Sequence, residues 1–349
     1  MAERHGSGAA AATPGAAVDE FHAMMRQAGV EALWERHGLN SREPVSEAPH
    51  LWKWKAVEPL IDRAVQATSM DTAERRVLSF ANPDLDNRRG ARATTNLNCG
   101  LQVLMPGESA RPHRHSANAL RFVLEGSGAR TIVDGKVCPM QLHDLILTPG
   151  WAWHEHAHEG KGRVVWLDAL DVPFHRYLDS HFFEPGPAHD LPALPTDTAY
   201  GGGGLVPQAP RGAAGLGYSP LFRYPWADVE AAFASMPADG DGARKVRYTN
   251  PATGGAVMGL LDCFALALAN GRATTPYRTT ANAFCLVVDG EGTSTIGDAK
   301  IAWSRHDVFT LPHWNWISHT AASENARLFM VTDHEILRRL DLLHEEVKS

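Results

Sequence analysis

The chain has 349 residues, 44% of them apolar, which is enough for two domains or one large one around a sizeable core. Its formal net charge of −7 gives no support for nucleic acid or an anionic membrane as a partner. No apolar run reaches the roughly 18 residues of a transmembrane helix. The four cysteines, Cys99, Cys138, Cys263 and Cys285, form no CxxC pair, so a reduced cytoplasmic protein is expected.

The N-terminus lacks the apolar core of a signal peptide, and residues 1–17, rich in Ala and Gly, are expected to be disordered. A helical segment is predicted over 18–71. Phe21, Met24, Met25, Val30, Leu33 and Trp34 recur at roughly helical spacing, and Leu60, Ile61, Ala64 and Val65 form a second helix after Pro59. Over 72–172 the pattern changes to short alternating strands punctuated by Gly, Pro and Asp, a mainly β unit. Residues 173–243, with several prolines and the run Gly201 to Gly204, read as linker. A second β unit spans 244–333, and Ile336, Leu337, Leu340, Leu343 and Val347 predict a helix over 334–349.

The two β units read as copies. Ala117-Asn118-Ala119 matches Ala281-Asn282-Ala283, Gly126 matches Gly290, and Asp144 to Pro149 matches Asp307 to Pro312, at a separation of 163 to 164 residues throughout. Chance similarity does not hold one offset over such a span, so the chain contains an internal duplication.

The chemistry lies in the first copy. His113 and His115, at i and i+2, share one face of a strand, and His154 follows the Pro149-Gly150 turn one hairpin later. Three imidazoles from adjacent strands can converge on one metal ion. The second copy has Tyr277, Thr279 and Ile317 at these places, so a metal is expected in the first barrel alone. Arg121, in the apolar strand Leu120 to Leu124, either binds a carboxylate bidentately or pairs with an acid such as Asp168. His156 shares the parity of His154 and faces the same lumen, although His319 at the same offset also allows a structural role. His158 is expected near solvent at the strand end. Asn98, Gly100 and Gln102 share one strand face. Gly100 leaves room for an aromatic ring and Gln102 offers hydrogen bonds, unless this is simply a half-polar strand. Asp168 is placed to orient a histidine or arginine from behind.

Gly107, then five residues, then His113-x-His115 with Gly128 beyond resembles the first cupin motif, and Pro149-Gly150 before His154 resembles the second. With Gly100-Leu101-Gln102, Ala119-Leu120-Arg121-Phe122 and Trp153-His154-Glu155-His156, the pattern over roughly 50–340 resembles the gentisate 1,2-dioxygenase family, which includes salicylate, 5-nitrosalicylate and 1-hydroxy-2-naphthoate dioxygenases.

The resemblance implies a bicupin: two tandem double-stranded β-helix (jelly-roll) barrels with N- and C-terminal helices, the second barrel degenerate. It implies a homotetramer holding one Fe(II) per chain on His113, His115 and His154, without the glutamate that cupins often add; Ala119 and Leu120 stand there instead. It implies cleavage of a salicylate-type 2-hydroxycarboxylate by O2 between the hydroxyl- and carboxyl-bearing carbons, with His156 near the hydroxyl or oxygen, Arg121 on the carboxylate, and a second arginine for which Arg76 is favoured over Arg75. The family carries an aromatic residue where this chain has Asn98, which puts unsubstituted gentisate in question as the substrate. The alternatives are a 1-hydroxy-2-naphthoate dioxygenase and a non-catalytic metal-binding sensor.

Overall fold

Continuous apolar strands such as Ala119–Glu125 and Val164–Leu170 are buried on both faces, which requires a packed layer on each side. The computed structural model, which describes residues 14–35, 47–187, 191, 193–202, 205–208 and 217–348, supplies those layers as two β barrels. The first barrel faces a six-stranded sheet (Arg223–Tyr224, Leu145–Thr148, Ala119–Glu125, Val164–Leu170, Asn98–Leu104, Val77–Ser79) against a five-stranded one (Phe183–Pro185, Ser109–His115, His154–His158, Ala129–Val133, Lys136–Met140). The second repeats this order, with Leu51–Trp52, Val308–Leu311, Ala283–Asp289, Arg327–Thr332, Asp262–Ala267 and Arg244–Arg247 against Ala299–Ser304, Glu291–Ile296, Ile317–Ala321, Tyr277–Thr279 and Glu345–Val347.

Leu101, Leu120 and Phe122 of one large sheet pack with Cys263, Phe284 and Phe329 of the other in a single core. The rings of Phe122 and Phe329 stack at 4.3 Å. Burial of each large apolar side chain stabilises by roughly 1.5–3 kcal/mol relative to exposure. Alternate residues point the other way: Val123 and Trp166 fill the first lumen, and Cys285 and Val287 the second.

The duplication is larger than the barrels. The helix Trp54–Ala67 after the strand Leu51–Trp52 corresponds to Trp226–Ser235 after Arg223–Tyr224. Each of these leading strands joins the sheet of the other repeat: Leu51–Trp52 pairs with Val308–Leu311, and Arg223–Tyr224 with Leu145–Thr148. The helix Val172–Tyr177 and strand Phe183–Pro185 likewise correspond to His334–Arg339 and Glu345–Val347.

Several sequence expectations change accordingly. The segment 173–243 carries sheet strands and helices of both repeats rather than a bare linker. The C-terminal helix ends at Arg339, and Glu345–Val347 pairs as a strand with Tyr277–Thr279. The helix around Pro59 starts before it, at Trp54; the hydrogen bond lost at Pro59 is offset by burial of Ile61 and packing of Trp54, Val57 and Val65 on the core. Residues up to Pro44 form a separate unit. Its helix, Pro14–Ala28, begins inside the stretch expected to be disordered, of which residues 1–13 lie outside the described residues, and it stops at Gly29, whose φ of 68° suits a C-terminal cap.

Candidate metal centre

The strand Ser109–His115 is the keystone of the site. Its register against His154–His158 runs Ser109↔Ala157, Ala110↔His156, then His113↔His154, so one extra residue bulges between Ala110 and His113. Ala110 faces the lumen with His156. Without the bulge, residues 112 and 114 would follow it inward; with it, His113 and His115 do. Pro112, which cannot donate to a ladder, sits in the bulge.

His113, His115 and His154 are buried and offer ligand atoms that all lie within 4.8 Å of one another. Each Nδ1 meets a backbone carbonyl: Arg111 at 3.0 Å, Ala117 at 2.7 Å and Ala152 at 3.0 Å. With Nδ1–H donating, the tautomer is fixed and the Nε2 lone pair is the one left for a metal. His154 Nε2 is buried with no hydrogen-bond partner. Desolvation, reinforced by Arg75, lowers the His113 pKa to about 3; burial lowers His115 to about 4 and His154 well below its ordinary value. All three are neutral near pH 7, as metal ligands must be. The donor set fits a divalent ion bound by neutral nitrogen, with no carboxylate in the group.

The lumen around them is built from the large sheet. Arg121 is buried, donates from Nη1 to Thr148 Oγ1, and holds Nε 3.3 Å from Asp168 Oδ1, an ion pair whose N–H is not aimed at the carboxylate. Asp168 also accepts from Trp166 Nε1 at 3.1 Å; burial raises its pKa and Arg121 opposes the rise. The Arg121–Asp168 ion pair is therefore present, and Arg121 still has an Nε–H without a hydrogen bond. His156 Nδ1 lies 2.9 Å from Thr131 Oγ1, and its Nε2 is buried with no partner. In the second barrel His319 makes the same contact with Ser294, at 2.7 Å. Gln102 is buried with its Nε2 unpaired.

The structure departs from the sequence reading at several places. Arg76 is buried in an ion pair with Glu108 and makes no hydrogen bond to the three histidines. Its neighbour Arg75 reaches the centre, with Nη1 2.6 Å from His113 Nε2 and its guanidinium 5.0 Å from the Phe183 ring centroid. This hydrogen bond and metal ligation use the same lone pair, so loading the site requires Arg75 to release His113. A Cβ on Gly100 would lie 3.0 Å from Leu78 O and Val77 Cγ1, so this glycine admits the edge strand Val77–Ser79 as well as opening the lumen. Asn98 is half-buried and ties its amide to Ala91 O at 2.7 Å. His158 is buried rather than exposed, 2.7 Å from Gly162 O. Phe183, stacked on His113 at 5.3 Å, was invisible in the sequence because it lies in the stretch read as linker.

Two barrels packed by their large sheets, one with a three-histidine centre and one without, define a bicupin metalloprotein. Residues 100–170 match the cupin domain family model. The chain is 34% identical over 336 residues to gentisate 1,2-dioxygenase 1 of Aquipseudomonas alcaligenes, covering 93% of this chain and 95% of that one. It is 33% identical to the 5-aminosalicylate 1,2-dioxygenase of Comamonas sp, covering 94% and 90%, and 35% identical to the 1-hydroxy-2-naphthoate 1,2-dioxygenase of Nocardioides sp. (strain KP7), covering 86% and 79%. The crystal structure of salicylate 1,2-dioxygenase from Pseudoaminobacter salicylatoxidans with gentisate superposes with a TM-score of 0.87 at 29% identity, covering 98% of this chain and 96% of that one. The chain belongs to the gentisate 1,2-dioxygenase family of aromatic ring-cleaving enzymes.

Proposed function

We propose that the enzyme cleaves the ring of a salicylate-type aromatic 2-hydroxycarboxylate with O2, between the hydroxyl- and carboxyl-bearing carbons, using one Fe(II) per chain. The observation that carries this reading is the neutral three-histidine set beside a buried arginine, with no carboxylate among the ligands. His113, His115 and His154 would hold the ferrous iron, which would supply Lewis acidity toward the hydroxy acid and a path for electrons between ring and dioxygen.

The protein's own groups do the rest. Arg121 holds the substrate carboxylate, and Asp168 and Thr148 keep its guanidinium in place. Gln102 donates from its amide to an oxygen of the bound acid. Thr131 Oγ1 has Met140 Sδ at 3.5 Å as an acceptor for its proton, so His156 donates to Thr131 from Nδ1 and presents its Nε2 lone pair to the lumen. That lone pair is placed to accept the hydroxyl proton of the bound acid. Arg75, released from His113, supplies a second cation toward the carboxylate, the role expected for Arg76.

Asn98 supports a substrate larger than gentisate, a 5-substituted salicylate or 1-hydroxy-2-naphthoate, because a small amide stands where the family resemblance implies an aromatic side chain. The four cysteines are buried and unpaired, which suits a reducing cytoplasm, and the family resemblance favours a homotetramer.

The test is metal analysis followed by anaerobic Fe(II) loading and oxygen uptake with gentisate, salicylate, 5-nitrosalicylate and 1-hydroxy-2-naphthoate. The expected result is close to one iron per chain, lost in His154→Ala, with uptake stimulated by at least one of the four acids. Full iron retention in His154→Ala overturns the ligand set. Iron-replete protein inert toward all four acids overturns the substrate class.

A further inference from the structure

The second barrel has lost the metal ligands but not the cavity. A space of about 280 Å³ opens at the mouth of its lumen, built on the positions that carry the first barrel's chemistry. Tyr277 pairs with Ile317 as His113 pairs with His154. Phe264 pairs with Met330 and Arg247 as Gly100 pairs with Asp168 and Ser79. The change of residues replaces a metal-binding surface with an aromatic and apolar wall.

The charges in this cavity are unevenly matched. Arg247 is engaged by Asp262, with Nη2 to Oδ2 at 2.7 Å, and Glu345 Oε2 lies 3.8 Å from His334 Nε2. Lys245 is different. It comes from the edge strand Arg244–Arg247 and stands where the first barrel has Val77. Its Nζ lies 4.5 Å from the Phe264 ring centroid and 5.6 Å from that of Tyr277, and it makes no hydrogen bond or ion pair among the described residues. Lys245 is exposed and lines the cavity; desolvation lowers its pKa and Glu345 opposes the shift. The Tyr277 hydroxyl also has no hydrogen-bond partner among the described residues. An ammonium over two rings gains some cation–π attraction, and Glu345, which lines the same cavity, attracts it without contact, but no carboxylate touches it. An ammonium with no carboxylate in contact, an adjacent phenol O–H and an apolar wall together make a receptor for a carboxylate borne on a ring.

We propose that the second barrel is a metal-free binding site for a small aromatic monocarboxylate, its carboxylate held by Lys245 and Tyr277 and its ring lying against Phe264 and Met330. The ligand needs no ortho hydroxyl, because nothing there requires chelation. Recognition at this site does not depend on the chemistry proposed for the first barrel.

Sodium benzoate is the probe and benzamide its uncharged control. In calorimetric titrations of full-length Arg121→Met protein, which lacks the carboxylate-binding arginine proposed for the first barrel, one benzoate per chain is expected. Binding should weaken at least tenfold in the added Lys245→Met variant, several-fold in the added Tyr277→Phe variant, and at least tenfold for benzamide. Limited acetylation read by mass spectrometry locates the site: saturating benzoate, but not benzamide, should slow modification of Lys245 at least fivefold in the unmutated protein. Unchanged benzoate affinity in Lys245→Met, or Lys245 acetylation indifferent to benzoate, overturns the proposal.

Discussion

At the scale of single residues, the two adjacent arginines divide the labour. Arg75 touches His113, whereas Arg76 ion-pairs with Glu108 through Nη2 and keeps Nε and Nη1 buried without a hydrogen bond. Parity separates them only once the strand register is known: Arg75 shares the parity of Val77, which pairs with Gln102, and Arg76 has the opposite parity. Arg121 was legible, since a lone cation in an apolar strand demands a function or a partner; here it has a partner with an N–H to spare. Replacing Arg121 by Met should cost roughly 1.5–3 kcal/mol of substrate binding, about ten- to a hundredfold in KM, with iron content unchanged. Arg75→Met should raise KM in the same direction, whereas Arg76→Met should lower the melting temperature, leaving Glu108 without its cation, and spare KM. Steady-state kinetics beside thermal melts separate the three. A KM effect confined to Arg76→Met would reverse the assignment.

At the scale of elements, the matching Ala-Asn-Ala segments turn out to be clamps. Asn118 donates to Asp171 from its backbone N–H (2.8 Å) and side-chain amide (2.7 Å), and its Oδ1 accepts from Gly150 N at 3.1 Å. It thus ties the start of a helix to the turns that deliver His115 and His154. Asn282 makes the same contacts with Asp333 and His313, at 2.7, 3.0 and 3.2 Å. The repeated motif was readable because the barrel offset stays constant. The leading strands and terminal elements were not, because the offset drifts from 172 residues between Trp54 and Trp226 to 162 between Asp171 and Asp333. Two-residue strands also carry no periodicity of their own. Since an unmade bond to a buried carboxylate costs roughly 1–3 kcal/mol, Asn118→Ala and Asn282→Ala should destabilise by similar amounts in denaturant titrations. Only Asn118→Ala should also weaken iron retention against a chelator. Equal iron loss in both variants would mean the clamp acts through global stability and not through the ligand turns.

For the whole molecule, the exchange of leading strands makes each barrel depend on the other repeat, and the contacts at the exchange are duplicated. Asp307 accepts from Trp54 N and Lys53 Nζ, both at 2.8 Å, and Asp144 accepts from Trp226 N at 3.1 Å and Arg223 Nε at 2.6 Å. Beside each aspartate stands a histidine with positive φ, His143 at 66° and His306 at 65°, packed edge-on against Trp226 and Trp54 respectively. Both Nε2 atoms are buried without a hydrogen bond. Burial lowers both pKa values to about 4; Arg305 adds to the shift at both and His143 adds to it at His306, while Asp289 opposes it at both, with Glu230 also opposing at His143 and Asp307 at His306. Between about pH 6.5 and 4 the unfolded chain therefore binds protons at these two sites that the folded chain does not, so stability falls as the pH drops through that window and is unaffected by them above it. Allowing for solvent access, the loss should be roughly 1 kcal/mol per histidine by pH 4. Asparagine tolerates the left-handed backbone and does not titrate there, so His143→Asn with His306→Asn should flatten the decline in unfolding free energy between pH 7.5 and 5. If the double variant loses as much stability over that range as the unmutated chain, acid sensitivity arises elsewhere and the junction of the two repeats is not where protons act.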